Sequence, residues 1–326
     1  AAGIGGGESG DGSNITIKDG NVKAVGGETS YGKNGGAGIG GGAFGAGSDI
    51  TISGGDVEAI GGNGGAGIGG GRGYGYSEKG YDITITDGNV IARGGEGAAG
   101  IGGGLGSDGF DITIGGGNVE AEGGKWAAGI GASSGGSGYN ITISGDAQVK
   151  ASGGERFDGG STTAISGTPN TANLTDGSIA YYAHGVNKET TAPEKLLHKT
   201  ASGTVETHTG VTLKSSTAAT CLNNATVTYL CSSCGTEITT ELLNTALGHK
   251  MGEYTSNNDA TCMADGTKTA HCTNPGCTHY VIVTDAGSRD PDKHSFTNYV
   301  SNDDATCSDA GHKTASCDNG CGATDV

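Results

Sequence analysis

A three-part phrase recurs five times in the first 155 residues and constrains the fold more than any other feature of this sequence. Each copy contains an Ala-Gly-Ile-Gly segment, an Ile-Thr-Ile segment and a segment similar to Asn-Val-x-Ala. The Ile-Thr-Ile segments begin at Ile15, Ile50, Ile83, Ile112 and Ile141, at intervals of 29 to 35 residues. Repeats of this length bury their apolar sides only against neighbouring repeats, so the sequence predicts a stack.

Apolar side chains alternate with polar residues or glycine inside each segment. In the first copy, Ile15 and Ile17 fall on one face and Thr16 on the other. This period of two predicts strands, and the abundant glycine, at roughly 1 kcal/mol per residue in a helix, excludes helices. We therefore predict an all-β, right-handed parallel β-helix with three short strands per rung over residues 1–184, ending in an atypical cap rung at about 161–184.

Paired glycines follow the third strand of each copy, at residues 26–27, 61–62, 94–95, 123–124 and 153–154. They predict corners at which the backbone adopts positive φ or approaches another backbone closely. With 70 glycines and 33% hydrophobic residues, the composition would also suit a disordered glycine-rich tract. The recurrence of paired inward aliphatic residues favours the solenoid.

The charge of the chain restricts its partners. A net charge of -17 and a pI of about 4.7 make nucleic acid and anionic membrane surfaces unsuitable, so we expect a cation or a neutral polymer. No apolar run approaches the roughly 18 residues of a transmembrane segment, and no signal peptide is visible. Because the sequence begins inside a repeat, we expect it to be part of a longer chain.

The character of the sequence changes after residue 184. Residues 185–204 have the composition of a linker, and all nine cysteines follow it. Each of three modules, at residues 205–245, 246–290 and 291–326, carries the spacing His-x12-Cys-x9-Cys, and two to four residues separate its second cysteine from its third. The modules contain His208, Cys221, Cys231 and Cys234; His249, Cys262, Cys272 and Cys277; and His294, Cys307, Cys317 and Cys321.

Three cysteines and one histidine per module are the ligand set of a closed tetrahedral zinc site. Modules this small bury too little surface to fold unaided, so the sequence predicts three structural zinc sites and zinc-ribbon-like modules. The alternative is one disulfide and one free thiol per module in a secreted protein. That alternative leaves the recurring histidine unexplained.

Two rows of side chains on the predicted solenoid suggest ligands. The residue before each Ile-Thr-Ile segment is Asp or Asn, and the middle threonine of each segment lies on the same outward side. Stacked Asp and Asn side chains often satisfy backbone groups at corners. The consecutive carboxylates Asp49, Asp82 and Asp111 would repel one another, which makes calcium a second interpretation.

Aromatic residues precede this row on three successive rungs, at Tyr81, Phe110 and Tyr139, and Tyr74 and Tyr76 lie in the longest loop nearby. Aromatic rings with a polar edge are suited to stacking on sugars. Such a row can instead serve only to stabilise neighbouring rungs. The sequence leaves both interpretations open.

The glycine-rich phrase, as in residues 99–124, resembles the repeats of large secreted or surface-attached proteins of Firmicutes and is similar to clostridial carbohydrate-binding β-helix proteins. The tandem Cys/His modules also resemble modules of such surface proteins. The resemblance implies a β-helix outside a bacterial cell that acts on, or is attached to, polysaccharide. It transfers no binding residue.

The residues give little support to catalysis. Polysaccharide lyases share the β-helix but need a basic residue beside clustered carboxylates, and the arginines of the first half, Arg72, Arg93 and Arg156, are scattered. We therefore expect a non-enzymatic adhesin or carbohydrate-binding β-helix on a zinc-stabilised stalk. The alternatives are a subunit of a self-assembling extracellular filament, since β-helix ends present unpaired backbone groups, and a polysaccharide-degrading enzyme.

Overall fold

The computed structural model describes residues 1–28, 34–73, 78–175, 177–188, 190–199, 204–242 and 245–326. The chain forms two compact units, residues 1–218 with 224–245, and residues 219–223 with 246–326. All regular structure in the described ranges is β-strand. None of those ranges contains a helix with the length and apolarity that crossing a membrane requires.

Two sheets build the solenoid of the first unit. Its first sheet contains five two-residue strands: β1 (Ile4–Gly5), β4 (Ile39–Gly40), β6 (Ile68–Gly69), β8 (Ile101–Gly102) and β11 (Ile130–Gly131). Its second sheet begins with β2 (Ile15–Ile17), β3 (Asn21–Val25), β5 (Ile50–Ile60), β7 (Gly80–Arg93), β9 (Gly109–Ile114), β10 (Asn118–Glu122), β12 (Gly138–Ile143) and β13 (Gln148–Ser152). In β5 and β7 the second and third segments of the rung form one continuous strand.

Neighbouring rungs pair in parallel, and the repeated strand residues pair with their counterparts. Ile50 pairs with Ile83 in one rung interface, and Ile83 pairs with Ile112 in the next. The register shifts between Ile52 and Asp56, at the corner between the second and third segments, and is the same on both sides of this irregularity. The structure confirms the predicted parallel β-helix with three strand segments per rung.

The core is a column of inward aliphatic side chains. Ile39, Ile68, Ile101 and Ile130 stack on one side of it and are fully buried. Burial of one such side chain contributes about 1.5–3 kcal/mol, so the column stabilises the stacked rungs. The first rung is different, because its inward residues Ile4, Ile15 and Val22 are only partly buried.

Glycine is required where rungs approach each other most closely. Gly69 is the last residue of β6, the first strand of its rung, and has a φ of 130°. A Cβ atom added to it would lie 2.1 Å from the carbonyl oxygen of Gly102 in the next rung. At the predicted glycine-pair corners, a Cβ on Gly95 would lie 1.9 Å from the carbonyl oxygen of Gly62. Close approach, rather than positive φ, explains these pairs.

A partial sixth rung and two antiparallel strands close the far end of the second sheet. Ile165 bridges to Ile130 and Leu174 bridges to Gly145, both in parallel. The strands β14 (Ser178–Tyr182), β15 (Lys195–Lys199) and β16 (Val205–Thr209) follow. β14 still pairs in parallel with β13, but β15 and β16 pair antiparallel.

The structure places β15 inside residues 185–204, which the sequence predicts to be a linker. That prediction is wrong for residues 195–199 because Leu196 and Leu197 are both buried and cover the end of the sheet. The preceding residues have the composition of a linker, so this short apolar pair did not indicate a strand.

A three-stranded antiparallel sheet completes the first unit: β17 (Val211–Thr217), β18 (Ala225–Cys231) and β19 (Glu237–Leu242). The hydroxyl of the buried Tyr229 hydrogen-bonds that of Tyr182. Lys150 is buried and donates to the carbonyl oxygen of Glu241. Burial lowers the pKa of Lys150 to about 8, because the charged form loses its hydration.

The second unit contains two small antiparallel sheets. The first consists of β20 (Thr255–Ser256), β21 (Thr267–His271) and β22 (Tyr280–Thr284). The second consists of β23 (Val300–Ser301), β24 (Lys313–Ser316) and β25 (Thr324–Asp325). The buried apolar residues described in this unit are alanines and cysteines: Cys221, Ala260, Cys262, Ala270, Cys272, Ala315 and Cys317. Packing of this size contributes little, so these sheets need another source of stability.

Candidate metal centres and ligand-binding face

Four ligand atoms converge in the second unit from Cys221, His249, Cys272 and Cys277. All lie within 4.8 Å of one another. The two buried sulfur atoms, Cys221 Sγ and Cys272 Sγ, are 3.6 Å apart, and Cys277 Sγ is 3.4 Å from His249 Nδ1. The side-chain amide of Asn274 donates to Cys221 Sγ over 3.3 Å.

A second cluster of the same composition joins Cys262, His294, Cys317 and Cys321. Cys262 Sγ is 3.6 Å from Cys317 Sγ, and Cys321 Sγ is 3.2 Å from His294 Nδ1. The backbone N–H of Ser295, the largest influence on that thiol, helps to lower the pKa of Cys317 to about 6. Burial raises the pKa of Cys262 in the same cluster to about 11, so the positions of the ligand atoms, rather than the pKa values of the thiols, indicate a metal site.

These separations suit a metal ion better than a disulfide. A tetrahedral zinc site places two thiolates about 3.8 Å apart and a thiolate and an imidazole about 3.5 Å apart, given Zn–S of about 2.3 Å and Zn–N of about 2.0 Å. A disulfide needs about 2.0 Å between its sulfur atoms. All nine cysteines lie in the described residues, and all are free thiols. The clusters could therefore hold metal ions and are compatible with zinc-ribbon-like modules.

The third cluster lies in the first unit, and the described residues supply three ligands to it, His208, Cys231 and Cys234. Cys234 Sγ is 3.3 Å from His208 Nδ1. The Ser233 hydroxyl, 3.0 Å from Cys231 Sγ, is the main cause of the lowered pKa of Cys231, which is about 6. The other ring nitrogen of His208, Nε2, lies 3.3 Å from Nδ1 of His198. The sequence offered no signal for His198, because the other modules have no counterpart to it.

The grouping of ligands within each module, as the sequence predicts it, is wrong. Cys221 does not join His208, and Cys262 does not join His249. Each instead joins the histidine and the two later cysteines of the following module. The reason is that a strand separates the first two cysteines of every module: Cys262 precedes β21 and Cys272 follows it, and five extended residues span about 16 Å.

Cys307 occupies the same place in its module as Cys221 and Cys262. It is exposed and belongs to none of the clusters formed by the described residues. The structure therefore gathers eleven of the twelve predicted ligands, in two complete sets of four and one set of three.

The predicted aromatic row is a continuous stack. The rings of Tyr81 and Phe110 are 5.2 Å apart between centroids and 5° from parallel, and those of Phe110 and Tyr139 are 4.8 Å apart and 6° from parallel. Lys79 Nζ approaches the Phe110 ring at 5.6 Å. Because the rings face one another, the inner ring has little free face, and Tyr139, which is 44% exposed, offers the most accessible ring. Tyr74 and Tyr76 lie outside the described residues.

The row of Asp and Asn residues has a conformational explanation. Asn14, Asp49, Asp82, Asp111 and Asn140 all adopt left-handed φ values between 50° and 57°. Asp and Asn tolerate this region better than other residues with a side chain. The ligand groups found among the described residues do not include the candidate calcium ligands Asp49, Asp82 and Asp111. The outward threonines from Thr16 to Thr142 do stack in register.

A second polar row, which the sequence analysis missed, lies at the corner after the Ile-Thr-Ile strands. The side-chain amide of Asn118 donates to Asn89 Oδ1 over 3.1 Å, and that of Asn89 donates to Asp56 Oδ1 over 2.7 Å. We call this chain the amide ladder. It lies in a groove of about 380 Å³ that is lined by Asp19, Gly20, Gly54, Gly55, Asp56, Asp87, Gly88, Asn89, Gly117 and Asn118. The signal was present, because each of these rungs has Asn or Asp before its Val-x-Ala segment or the equivalent.

One further aromatic pair was also missed. Trp126 adopts a φ of 62° at the place where the two preceding rungs have Gly64 and Gly97 with φ of 79° and 80°. Its ring contacts that of Phe157 at 4.5 Å between centroids, and Phe157 is 93% exposed. Because Phe157 lies in an irregular connection, no periodicity in the sequence marks the pair.

The model of a beta helix repeat family matches residues 15–43, 50–72, 83–105 and 112–138. The glycine-rich part of the chain is a β-helix. The matches coincide with the second to fourth rungs and parts of their neighbours, so pattern and structure agree on the repeating unit of this β-helix. A comparison with curated proteins and one with solved structures found no match.

Proposed function

We propose that this chain is a non-enzymatic bacterial surface protein, such as an adhesin, whose β-helix binds a polysaccharide along its second sheet. The groove that holds the amide ladder carries the proposal. It crosses four consecutive rungs, which stack at about 4.8 Å, so it extends along the axis of the solenoid. A groove of this direction accommodates a linear polymer better than a compact ligand.

The groups in the groove are suited to sugar hydroxyls. Each amide of the ladder uses one N–H for the next rung and retains a second N–H, and the Asp56 carboxylate retains acceptor capacity. Gly55, Gly88 and Gly117 have no side chains that would cover the groove floor. A net charge of -17 favours a neutral polymer or one that binds with cations.

Two carboxylates of the groove are held in local turns, which favours binding over catalysis. Asp19 Oδ1 and Asp87 Oδ1 each accept a 2.7 Å hydrogen bond from the backbone N–H of the following glycine. The groove lining contains no Lys, Arg or His that could remove a proton from a sugar ring. Tyr139, near the start of β12 in the fifth rung, would add one stacking contact.

The complete Cys/His clusters are proposed to bind structural zinc. With four protein ligands each, they leave no coordination position for water or substrate. Zinc would supply the folding free energy that the small alanine and cysteine cores lack. The modules would then form a stalk for the β-helix outside the cell, as the resemblance to bacterial surface proteins implies.

The test is retention of the full chain on immobilised plant and host polysaccharides. Replacing Asn89 and Asn118 with Ala removes two amides and should weaken retention roughly tenfold or more. The control, Glu96→Ala with Lys125→Ala, changes two exposed residues at a glycine corner and should retain the polymer fully. Unchanged retention of the double Asn variant, or new reducing ends in the polymer, would contradict the proposal.

The filament is a second candidate because the backbone edges at the end of a β-helix can pair with those of another copy. The antiparallel strands β15 and β16 close one end of the second sheet, so such pairing would have to use the other end. Regular fibres in electron micrographs, without glycan retention, would favour the filament.

A further inference from the structure

A column of small inward side chains in the solenoid ends at the cap. One register position of the third strand segment holds a buried alanine in five successive rungs: Ala24, Ala59, Ala92, Ala121 and Ala151. In β14 the same position holds Tyr181, and Lys195 of β15 pairs with it. A large ring and a charged side chain therefore take the place of alanine where the core ends.

A cavity of about 490 Å³ lies beside Tyr181 and Lys195. Residues of the partial sixth rung, of β14 and of β15 line it, and the buried side chains of Ile165 and Leu197 give the lining an apolar part. Cavities of roughly 300–1,000 Å³ that combine an apolar lining with a few polar groups are typical small-molecule sites. The cap therefore has the size and the lining of such a site.

Three polar side chains of the lining are available to a ligand. The described residues offer no hydrogen-bond or ion-pair partner to the Tyr181 hydroxyl, the Glu194 carboxylate or the Lys195 ammonium group. Lys195 Nζ lies 4.9 Å from the centroid of the Tyr181 ring. Burial raises the pKa of Tyr181 to about 12, so its phenol remains a hydrogen-bond donor at neutral pH. The cavity thus combines two free donors with one free acceptor.

We propose that this cavity binds the terminal pyranose of a neutral glycan. Neighbouring hydroxyls of a sugar ring can accept hydrogen bonds from Lys195 and Tyr181 and donate to Glu194, and the C–H groups of the ring can contact Ile165 and Leu197. Lys195 and Glu194 are the charged residues of the lining, and their charges cancel, which suits a neutral ligand. This rests on the glycan binding proposed above and adds a site for a chain end, since the cavity shares no residue with the groove of the amide ladder.

Binding of soluble sugars to the full chain tests the proposal. The probes are glucose, galactose, mannose and N-acetylglucosamine, each on the order of 10 mM, in saturation-transfer NMR. At least one should bind, and Lys195→Met should weaken its binding at least about tenfold, because the variant keeps the apolar stem and removes the ammonium donor. Lys199→Met is the control, since it makes the same change in the same strand outside the cavity lining, and it should bind as the unsubstituted chain does.

Absence of binding to all four sugars, or equal weakening by Lys195→Met and Lys199→Met, would overturn the proposal. If Lys195→Met fails to fold, Glu194→Ala decides, because Glu194 is exposed and its replacement removes the acceptor without opening the core. Retention on an immobilised polymer measures the groove instead. A chain that is retained but binds none of the soluble sugars would refute only the cavity site. Sugar binding that depends on Lys195, without retention, would refute only the groove.

Discussion

Cys221 Sγ lies 3.6 Å from Cys272 Sγ, although the two residues belong to different repeats of the Cys/His pattern and are 51 positions apart. Cys262 and Cys317 stand in the same relationship at 3.6 Å. The first and second repeats thus each contribute one cysteine to the site of the next repeat. The metal would cross-link consecutive repeats rather than close each one on itself.

Substitution of the first cysteine should damage the site of the following repeat. Cys221→Ser should lower the metal content by about one ion per chain and make residues 246–290 protease-sensitive, because His249, Cys272 and Cys277 lose a ligand. Cys231→Ser, the matched variant, should affect residues 205–245 and spare the complete sites. Metal analysis and mapping of the cleaved peptides distinguish the two. Cleavage of Cys221→Ser that is confined to residues 205–245 would contradict this prediction and would support ligand sets formed within each module.

Glycines at the inter-rung contacts should not tolerate a methyl group. Gly69→Ala should lower the free energy of unfolding by at least about 2 kcal/mol, because its Cβ would meet the Gly102 carbonyl oxygen at 2.1 Å and its φ is 130°. Gly7→Ala is the control, since nothing lies within 4 Å of its Cβ position. Urea unfolding of both variants provides the measurement. Equal free energies of unfolding for the two variants would show that the rungs can move apart at this contact with no loss of stability.

Asp82 should be needed for its backbone conformation rather than for its charge. Asp82→Ala should cost about 1–2 kcal/mol because a φ of 50° is unfavourable for Ala. Asp82→Gly and Asp82→Asn should each lower the free energy of unfolding by only about a few tenths of a kcal/mol, since Gly and Asn adopt left-handed φ values readily. Thermal unfolding with calcium and with a chelator measures both effects. Stabilisation by calcium that disappears in Asp82→Asn would favour the calcium site instead.

Lys150 should make the stability of the first unit depend on pH. Its pKa is about 8 in the folded protein, below the ordinary value, so the unfolded chain binds more protons above that pH. Stability should therefore rise between about pH 8 and pH 10, and below pH 8 the full cost of burying the charge remains. Lys150→Met should remove this rise and stabilise the protein at pH 7 by up to roughly 3 kcal/mol. A lower stability of Lys150→Met at pH 7 would show that its bond to the Glu241 carbonyl oxygen outweighs desolvation.

The solenoid could be predicted from the sequence because its information is local and repeated. Paired isoleucines such as Ile83 and Ile85 show the period of two that is typical of a strand. Each pair lies beside the equivalent pair of the neighbouring rung. The glycine corners were equally visible. The handedness stays a prediction that follows from parallel crossovers.

The ligand sets could not be predicted because spacing along the chain is compatible with two groupings. Cys262 follows His249 and precedes His294, and nothing in these intervals favours either histidine. β21 separates the two groupings, because this strand lies between Cys262 and Cys272 and moves the chain away from Cys262. The alternation of Ala225, Val227 and Tyr229, all buried in β18, was the available sign that a strand fills the nine-residue interval. The amide ladder was missed for a different reason, since its polar residues were treated as part of a strand pattern.

Forward donation also affects how such an array can change during evolution. Each complete cluster combines one cysteine from the preceding repeat with a histidine and two cysteines of its own repeat. Both complete clusters have this same composition. Removal of the period from residue 222 to residue 262 would place Cys221 ahead of His294, Cys317 and Cys321 and restore a full ligand set. Recombination between repeats can therefore lengthen or shorten the array by whole periods without leaving a broken metal site at the new junction.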